Sequence, residues 1–398
     1  MQTTNHPSPW RFPARFAALQ QIELPRTTAA RWGLSSPRLA LRRTWPQDVD
    51  HVAVEFVTAT GEIVPGQWIA DDERRAQILR STRKAAADPD SVLEVDELKL
   101  ILQAHGADRR LPGLADLLTQ PGAQIIVHRP ERRAVVRLLA DGESVFAKAV
   151  RPEKSGALAA ALTWAEQHVT AFATPTLLHH DEAAGVVSTA ALAGRSVYEL
   201  YGAPVIEDAL PVMGRTLAAL HAMPAPEWAV PHTAGKEVGV LARWMERLND
   251  FAPRLHAELA IPAARIAEAL EAGTSTPVLL HRDFYDKQIF VTDDGAAGLL
   301  DLDTLAVGEA ELDVANALVH LELRSLQTGR LGCSLNRARA SFLRGYPVER
   351  LSPARLQVYA DAARLRLACV YAFRPGGVTS SPKLLARLGR PVLERVIA

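Results

Sequence analysis

The chain has 398 residues and 45 basic side chains against 45 acidic ones, so its formal net charge is zero. That balance gives no electrostatic reason to expect a nucleic acid or an anionic membrane as partner. Hydrophobic residues make up 48% and charged residues 23%, which is ordinary globular composition, and the length suggests two or three domains.

Cys333 and Cys369 fit no metal or redox spacing. A disulfide framework is therefore not expected, and a reducing compartment is the default. The first residues, MQTTNHPSPWRFPARF, lack the apolar core of a signal peptide. The longest apolar candidate, Ala183–Gly194, is far short of a membrane span. Cytoplasm is the natural expectation.

Residues 1–112 read as a small α+β module. Leu39–Trp45, His51–Thr58 and Ile63–Ala70 look like strands, with a turn at Thr60-Gly61-Glu62. An arginine-rich helix follows at about Asp71–Ala87, then an apolar stretch at Val92–Leu102. Gly106–Gly113 reads as the exit.

Residues 113–191 carry a β-rich pattern. Gln124–Leu138 reads as a hairpin whose turn has no glycine and instead offers His128, Arg129, Arg132 and Arg133. Ser144–Val150 reads as a strand, with Lys148 on the face of Phe146 by the period of two. A helix at about Ser155–Phe172 has apolar positions Leu158, Leu162, Ala165 and Val169 at helical spacing, with Glu166 beside them. Pro175–Leu178 and Gly185–Thr189 look like further strands, leading to Thr189-Ala190-Ala191.

Residues 192–398 read as mostly helical. Helical patterns fill Ile206–His221, Val238–Leu259, Ala264–Gly273, Leu312–Leu326, Leu335–Arg344 and Ser352–Phe373. Arg374–Pro382 is rich in Pro, Gly, Ser and Thr and reads as a loop, followed by a last helix at about Lys383–Ile397. Within this half, VLLHRDFYDKQIFV (278–291) and GLLDLDTL (298–305) each deliver carboxylates at the end of an apolar run. Asp283 and Asp301 are eighteen residues apart, with the turn Thr292-Asp293-Asp294-Gly295 between them. A hairpin would gather a base and metal-binding carboxylates around one spot. Phosphoryl transfer needs such a spot, because one carboxylate orients the acceptor hydroxyl and others hold magnesium on the phosphates.

His281-Arg282-Asp283 followed by Gln288 resembles the kinase catalytic loop H-x-D-x-x-x-x-N. The resemblance is closest to the aminoglycoside phosphotransferase-like family, which also covers choline, homoserine and sugar kinases. Leu300-Asp301-Leu302-Asp303 is similar to that family's metal-binding segment. Gly308–Ala315 is similar to its G-D-P-x-x-D-L-A, with Asp313 in the late acidic position and departures at Glu309, Ala310 and Val314. Leu217–His221 matches the L-A-x-L-H helix end, and Gly194-Arg195-Ser196 resembles the glycine segment after the family's hinge. Each match alone is weak, but their order and spacing from about 123 to about 320 make a set.

The resemblance implies a bilobal protein-kinase-like α+β fold, with the residues before 113 as an extra module. It implies ATP and Mg²⁺ bound between the lobes. Lys148 would steady the α- and β-phosphates with Glu166 orienting it, and Arg132 and Arg133 would grip phosphate in place of a glycine-rich loop. Backbone groups of Thr189 and Ala191 would meet the adenine. Asp301 and Gln288, with Asp303, would hold the metal, Gln288 standing where the family has Asn. Asp283 would take the proton of the acceptor hydroxyl. His281 and Arg282 would hold the loop's shape, Asp313 would brace it, and Asp286 and Lys287 look like solvent-facing loop charges. Residues 222–280 would help form the acceptor pocket, with Trp228, Trp244, Glu246 and Asp250 as candidate lining. A small-molecule kinase acting on a sugar, aminoglycoside or related polyol follows. A nucleotide-binding pseudokinase is the alternative. A protein kinase is disfavoured, since Leu302–Asp313 is too short for an activation segment.

Overall fold

The structure, a computed structural model, describes residues 11–329 and 331–392. The first part of the chain builds a six-stranded antiparallel sheet in the order β1-β2-β3-β4-β6-β5. Its strands are β1 (Gln21–Glu23), β2 (Arg38–Asp48), β3 (His51–Val57), β4 (Ile63–Ile69), β5 (Val92–Val95) and β6 (Leu100–Gln103). Helix α1 (Arg26–Arg31) follows β1, and α2 (Asp72–Ala85) crosses between β4 and β5. Asp71 caps α2 by accepting from the N–H of Arg74. β1 and α1 carry too few apolar residues to be legible as elements.

The apolar run of β3 is buried along nearly its whole length because both faces of this sheet are covered. Alternation sorts the side chains. Ile69 and Ile101 pack with Ile78 and Leu79 of α2. Trp68, Leu100, Leu102, Val52 and Val54 face the other way, into a core continuous with that of the C-terminal helices.

After α3 (Leu114–Leu118) comes a five-stranded sheet in the order β10-β11-β9-β8-β7. It is formed by β7 (Gln124–Arg129), β8 (Arg133–Ala140), β9 (Glu143–Val150), β10 (Leu177–Asp181) and β11 (Val186–Ala190), with α4 (Pro152–His168) inserted after β9. The C-terminal half contains β12 (Arg195–Ser196), α5 (Ile206–His221), α6 (Ala234–Phe251) and α7 (Pro253–Glu271). Then follow β13 (Pro277–Leu280), β14 (Ile289–Val291), β15 (Ala297–Leu299), β16 (Ala306–Glu309), α8 (Ala310–Thr328), α9 (Leu335–Arg344), α10 (Pro353–Ala372) and α11 (Ser380–Leu385). A mixed β-rich lobe and a larger helical lobe are the expected kinase-like architecture.

Three expectations change. The helix expected at Val238–Leu259 is two helices: α6 ends at Ala252, whose φ of −145° is non-helical, and Pro253 opens α7 at a position where a missing N–H costs nothing. The break expected between Leu259 and Ala264 is not there: Pro262 lies inside α7. The hairpin of the acidic motif also pairs differently. β14 pairs with β15 across the Thr292–Gly295 turn, whereas β13 pairs with β16. Finally, α11 ends at Leu385, and the last residues of the helix expected to reach Ile397 lie outside the described residues.

Candidate active site

Two short backbone segments set this site. Asp301, two residues after β15, sits in the left-handed region at φ 64°; Arg282, two residues after β13, does the same at φ 70°. Such conformations cost a non-glycine residue of order 1–3 kcal/mol and persist only where the surroundings impose them. At Arg282 the imposing group is Asp313 of α8. Its carboxylate accepts the N–H of His281 at 2.7 Å and that of Arg282 at 2.8 Å. His221, at the end of α5, has Nε2 3.2 Å from the same carboxylate. The His281 ring in turn reaches the Leu300 carbonyl at 2.8 Å, tying the two acidic segments together.

Across the cleft, β9 presents Lys148. Its ammonium pairs with Asp301 and lies 3.1 Å from Asp303. Burial pushes Asp301 up, but the Lys148 ammonium, then a hydrogen bond with Asp303 and the charge of Arg133, outweigh it and hold this carboxyl well below the usual range. Burial and the like charge of Asp301 push Asp303 up against the pull of Lys148. Burial would lower Lys148, and the two aspartates reverse that. Gln288 is buried, and its side-chain amide donates to Asp301 at 3.3 Å.

These groups close one end of a cavity of about 450 Å³ between the lobes. Its walls are apolar, with Phe146, Leu162, Val187, Phe290 and Leu300, and Thr189, Ala190 and Ala191 edge it. The N–H of Ala191 donates to Ser144 O at 3.3 Å and that of Ala190 to Thr176 O at 3.0 Å. Arg133 bears on both Asp301 and Asp283. Arg132 and Arg133 are exposed in the β7–β8 turn. That turn is anchored from below: Glu131, at φ 61°, is gripped by Arg109 at 2.7 and 3.1 Å, and its N–H donates to Asp108 at 2.8 Å. His128 is buried on Asp108 and Arg129 lies over the Trp45 ring, so neither joins the cavity.

Glu166 is not brought to the site. It is exposed on α4, and the ion pairs of Lys148 run to Asp301 and Asp303. The face that α4 turns to the cavity carries Leu158, Ala161 and Leu162. Asp286 is likewise not a solvent-facing charge. It is buried and takes a bidentate contact from Arg324 at 2.8 and 3.2 Å. Lys287 lies over the Tyr198 ring, 4.1 Å from its centroid.

A second cavity, of about 310 Å³, opens beside Asp283. Thr304 lines it while Leu300–Asp303 line the first, so one segment divides the two. Burial pushes Asp283 up, and Arg366, His281 and Arg133 only partly offset this. Trp228, Trp244, Glu246 and Asp250 are absent from its lining; His232, Glu237, Arg282, Asn316, Tyr359 and Arg366 take their place. No local pattern marks these residues, since α6, α8 and α10 must pack before they meet. Gly308 permits the approach of His232. A Cβ there would lie 2.6 Å from the His232 carbonyl, and the His232 N–H donates to Val307 O at 2.7 Å.

Two carboxylates and one carboxamide beside a cleft are the donor set that Mg²⁺ takes when phosphates and water complete its octahedron. Among the described residues no cluster of three or more His, Cys, Asp or Glu side chains forms a self-sufficient metal site. No helix among them is long and apolar enough to cross a membrane.

A profile of the phosphotransferase enzyme family (APH) matches residues 123–351. Among solved structures, an ethanolamine kinase of Plasmodium vivax aligns with a TM-score of 0.50 at 12% identity, covering 70% of this chain and 86% of that one. A choline/ethanolamine kinase family protein from Mesorhizobium loti gives 0.49 at 16% identity, covering 71% and 92%. An aminoglycoside phosphotransferase from Streptomyces rimosus, in complex with ADP and streptomycin, gives 0.46 at 20% identity, covering 63% and 92%. No curated protein sequence matches the chain.

Proposed function

The chain belongs to the phosphotransferase enzyme family; from that premise we propose that it transfers the γ-phosphoryl group of ATP to a hydroxyl group of a small molecule, with Asp283 as the base. The observation that carries this reading is the pairing of Lys148, on the small lobe, with Asp301 and Asp303 of the large lobe. A strand lysine and a loop aspartate meeting at the mouth of an apolar slot is the arrangement that phosphoryl transfer requires.

ATP occupies the 450 Å³ cavity, its base between Phe146, Val187 and Leu300 and its edge toward Thr189–Ala191. Lys148 then exchanges a carboxylate for the α- and β-phosphates. Arg133 and Arg132 cover the phosphates from the β7–β8 turn. Asp301, Gln288 and Asp303 are the residues that would hold Mg²⁺, which neutralises charge on the phosphates when bound. The acceptor hydroxyl enters from the second cavity. Its oxygen forms a bond to the γ-phosphorus while the bond from that phosphorus to the β–γ bridging oxygen breaks, and its proton passes to Asp283. ADP and a phosphate monoester leave. Asp313 takes no part in the transfer and keeps Asp283 in place through the backbone.

The test is ATP turnover with Mg²⁺ against sugars, cyclitols, aminoglycosides and amino alcohols, with Asp283→Asn alongside. Phosphorylation of an acceptor by the native chain and its loss in the variant is the expected result. Nucleotide binding without turnover of any acceptor would favour a nucleotide-binding regulatory module instead, and absence of both would overturn the reading.

A further inference from the structure

The cavity beside Asp283 has a charge pattern that proton transfer alone does not require. Two guanidinium groups, Arg282 and Arg366, line a space of about 310 Å³. Among the described residues neither forms an ion pair. Arg366 Nη2 donates to the Asn316 side-chain oxygen at 2.6 Å, and Arg282 Nε is buried without a hydrogen-bond partner. The two carboxylates of the cavity have other engagements. Glu237 lies 3.1 Å from His232 Nε2, and Asp283 is reserved for the hydroxyl proton. Both arginines are half-buried, and although Glu237 and Asp283 feel their charge, neither carboxylate forms an ion pair with them, so their N–H donors remain open to an anion.

The Arg366 guanidinium and the Arg282 backbone are held in advance. Arg282 takes its direction from a backbone fixed by Asp313 at 2.8 Å. Arg366 is held through Asn316, whose Nδ2 donates to the Phe284 carbonyl at 2.9 Å. The two are thus referenced to the same loop that carries Asp283. Groups oriented before the ligand arrives lose less freedom on binding it. A cationic acceptor fits poorly. A quaternary ammonium calls for an aromatic cage, and Tyr359 is the one phenyl-type ring in the lining. A polyamine would meet two positive charges.

We propose that the acceptor carries an anionic group, a carboxylate or a phosphate monoester, seated between Arg282 and Arg366 while its hydroxyl faces Asp283. This rests on the kinase reading above. The transferred phosphoryl group forms its new bond to that hydroxyl oxygen, the bond to the bridging oxygen of ATP breaks, the proton goes to Asp283, and the anionic group is unchanged.

The experiment pairs probes that differ in charge. D-Glucuronate and D-glycerate supply the carboxylate, and D-glucose 1-phosphate and glycerol 3-phosphate the phosphate. D-Glucose and glycerol are the neutral twins, and D-glucosamine and choline the cationic controls. Binding is read by calorimetry with a non-hydrolysable ATP analogue and Mg²⁺, and turnover by ADP release, for the native chain, Arg366→Gln and Arg366→Lys. The expected result is binding of at least one anionic probe, weakened roughly 10- to 100-fold in Arg366→Gln and partly restored in Arg366→Lys, as loss of a charge-assisted contact predicts. The arm that binds tells carboxylate from phosphate. Binding that depends on Arg366 without ADP release would leave the anion site standing and overturn the kinase reading. Turnover of neutral or cationic probes with no anionic probe binding would overturn the anion site and leave the kinase reading intact. No binding of any anionic probe would overturn it as well.

Discussion

Lys148 holds two carboxylates together in the cleft, and each of the three shifts the others. Replacing it with Met removes a contact to the phosphates and leaves Asp301 and Asp303 facing one another without a cation. The expected outcome in steady-state kinetics is a fall in kcat/KM of about 10²- to 10³-fold, with a lower melting temperature for the nucleotide-free protein. Asp283 gives a pH signature. It works as a carboxylate, and burial lifts its pKa above the ordinary 3.8. Activity therefore falls as pH drops through that raised value, and the acid limb of the kcat/KM profile should sit above the normal aspartate range. In Arg366→Gln the limb should move higher still, because the Arg366 charge is what most opposes the rise. An unmoved limb would separate Arg366 from Asp283. Asp286 makes a stability prediction: Asp286→Ala takes the bidentate carboxylate from the buried Arg324, which keeps its bond to Gln327, and chemical denaturation should show a loss of about 3 kcal/mol.

The elements differ in how far the sequence reveals them. The apolar runs of β3 and β4 and the helical patterns of α5 and α9 are local signals, and each element falls within a residue of where its pattern says. The acidic motif places Asp283, Gln288, Asp301 and Asp303 within 21 residues of one another, so a short stretch of chain suffices to bring them to one cleft. Glu166 is a different case. Which face of α4 turns inward is settled by β10, β11 and the Leu302–Thr304 segment, and none of these is local to the helix. Arg366 and Glu237 were invisible for the same reason, since only the packing of α10 on α6 and α8 gives them a shared cavity. One glycine shows how such packing can be tested. Gly308→Ala puts a methyl group 2.6 Å from the His232 carbonyl and 2.7 Å from Leu280 Cδ1. The segment carrying His232 must retreat from β16. The acceptor KM should rise while nucleotide binding, read by fluorescence or calorimetry, stays at the native level.

At the scale of the whole molecule, the N-terminal module is fastened to both lobes. Toward the small lobe, Glu55 of β3 meets the N–H of His128 at 3.4 Å and Arg129 lies over Trp45. Toward the helical lobe, Phe16 packs on Phe251 with ring centroids 5.3 Å apart, and the Thr44 hydroxyl donates to the Phe373 carbonyl at 2.6 Å. Thermal unfolding should accordingly be one cooperative transition. Thr44→Val should lower stability by about 1–3 kcal/mol by leaving a buried carbonyl unpaired, and two resolved calorimetric transitions would contradict the coupling. The Thr44–Phe373 bond spans 329 residues of chain. Ribosomes deliver the chain from the front at about 5–20 residues per second. This sheet therefore leaves the ribosome well before the helical segments that share its core, and its bond to Phe373 must wait for 329 more residues. Long-range closure of this kind slows folding and extends the time over which a nascent chain can stick to its neighbours. Synthesis of this protein should depend more on chaperones that shield nascent chains than the stability of its finished form would suggest.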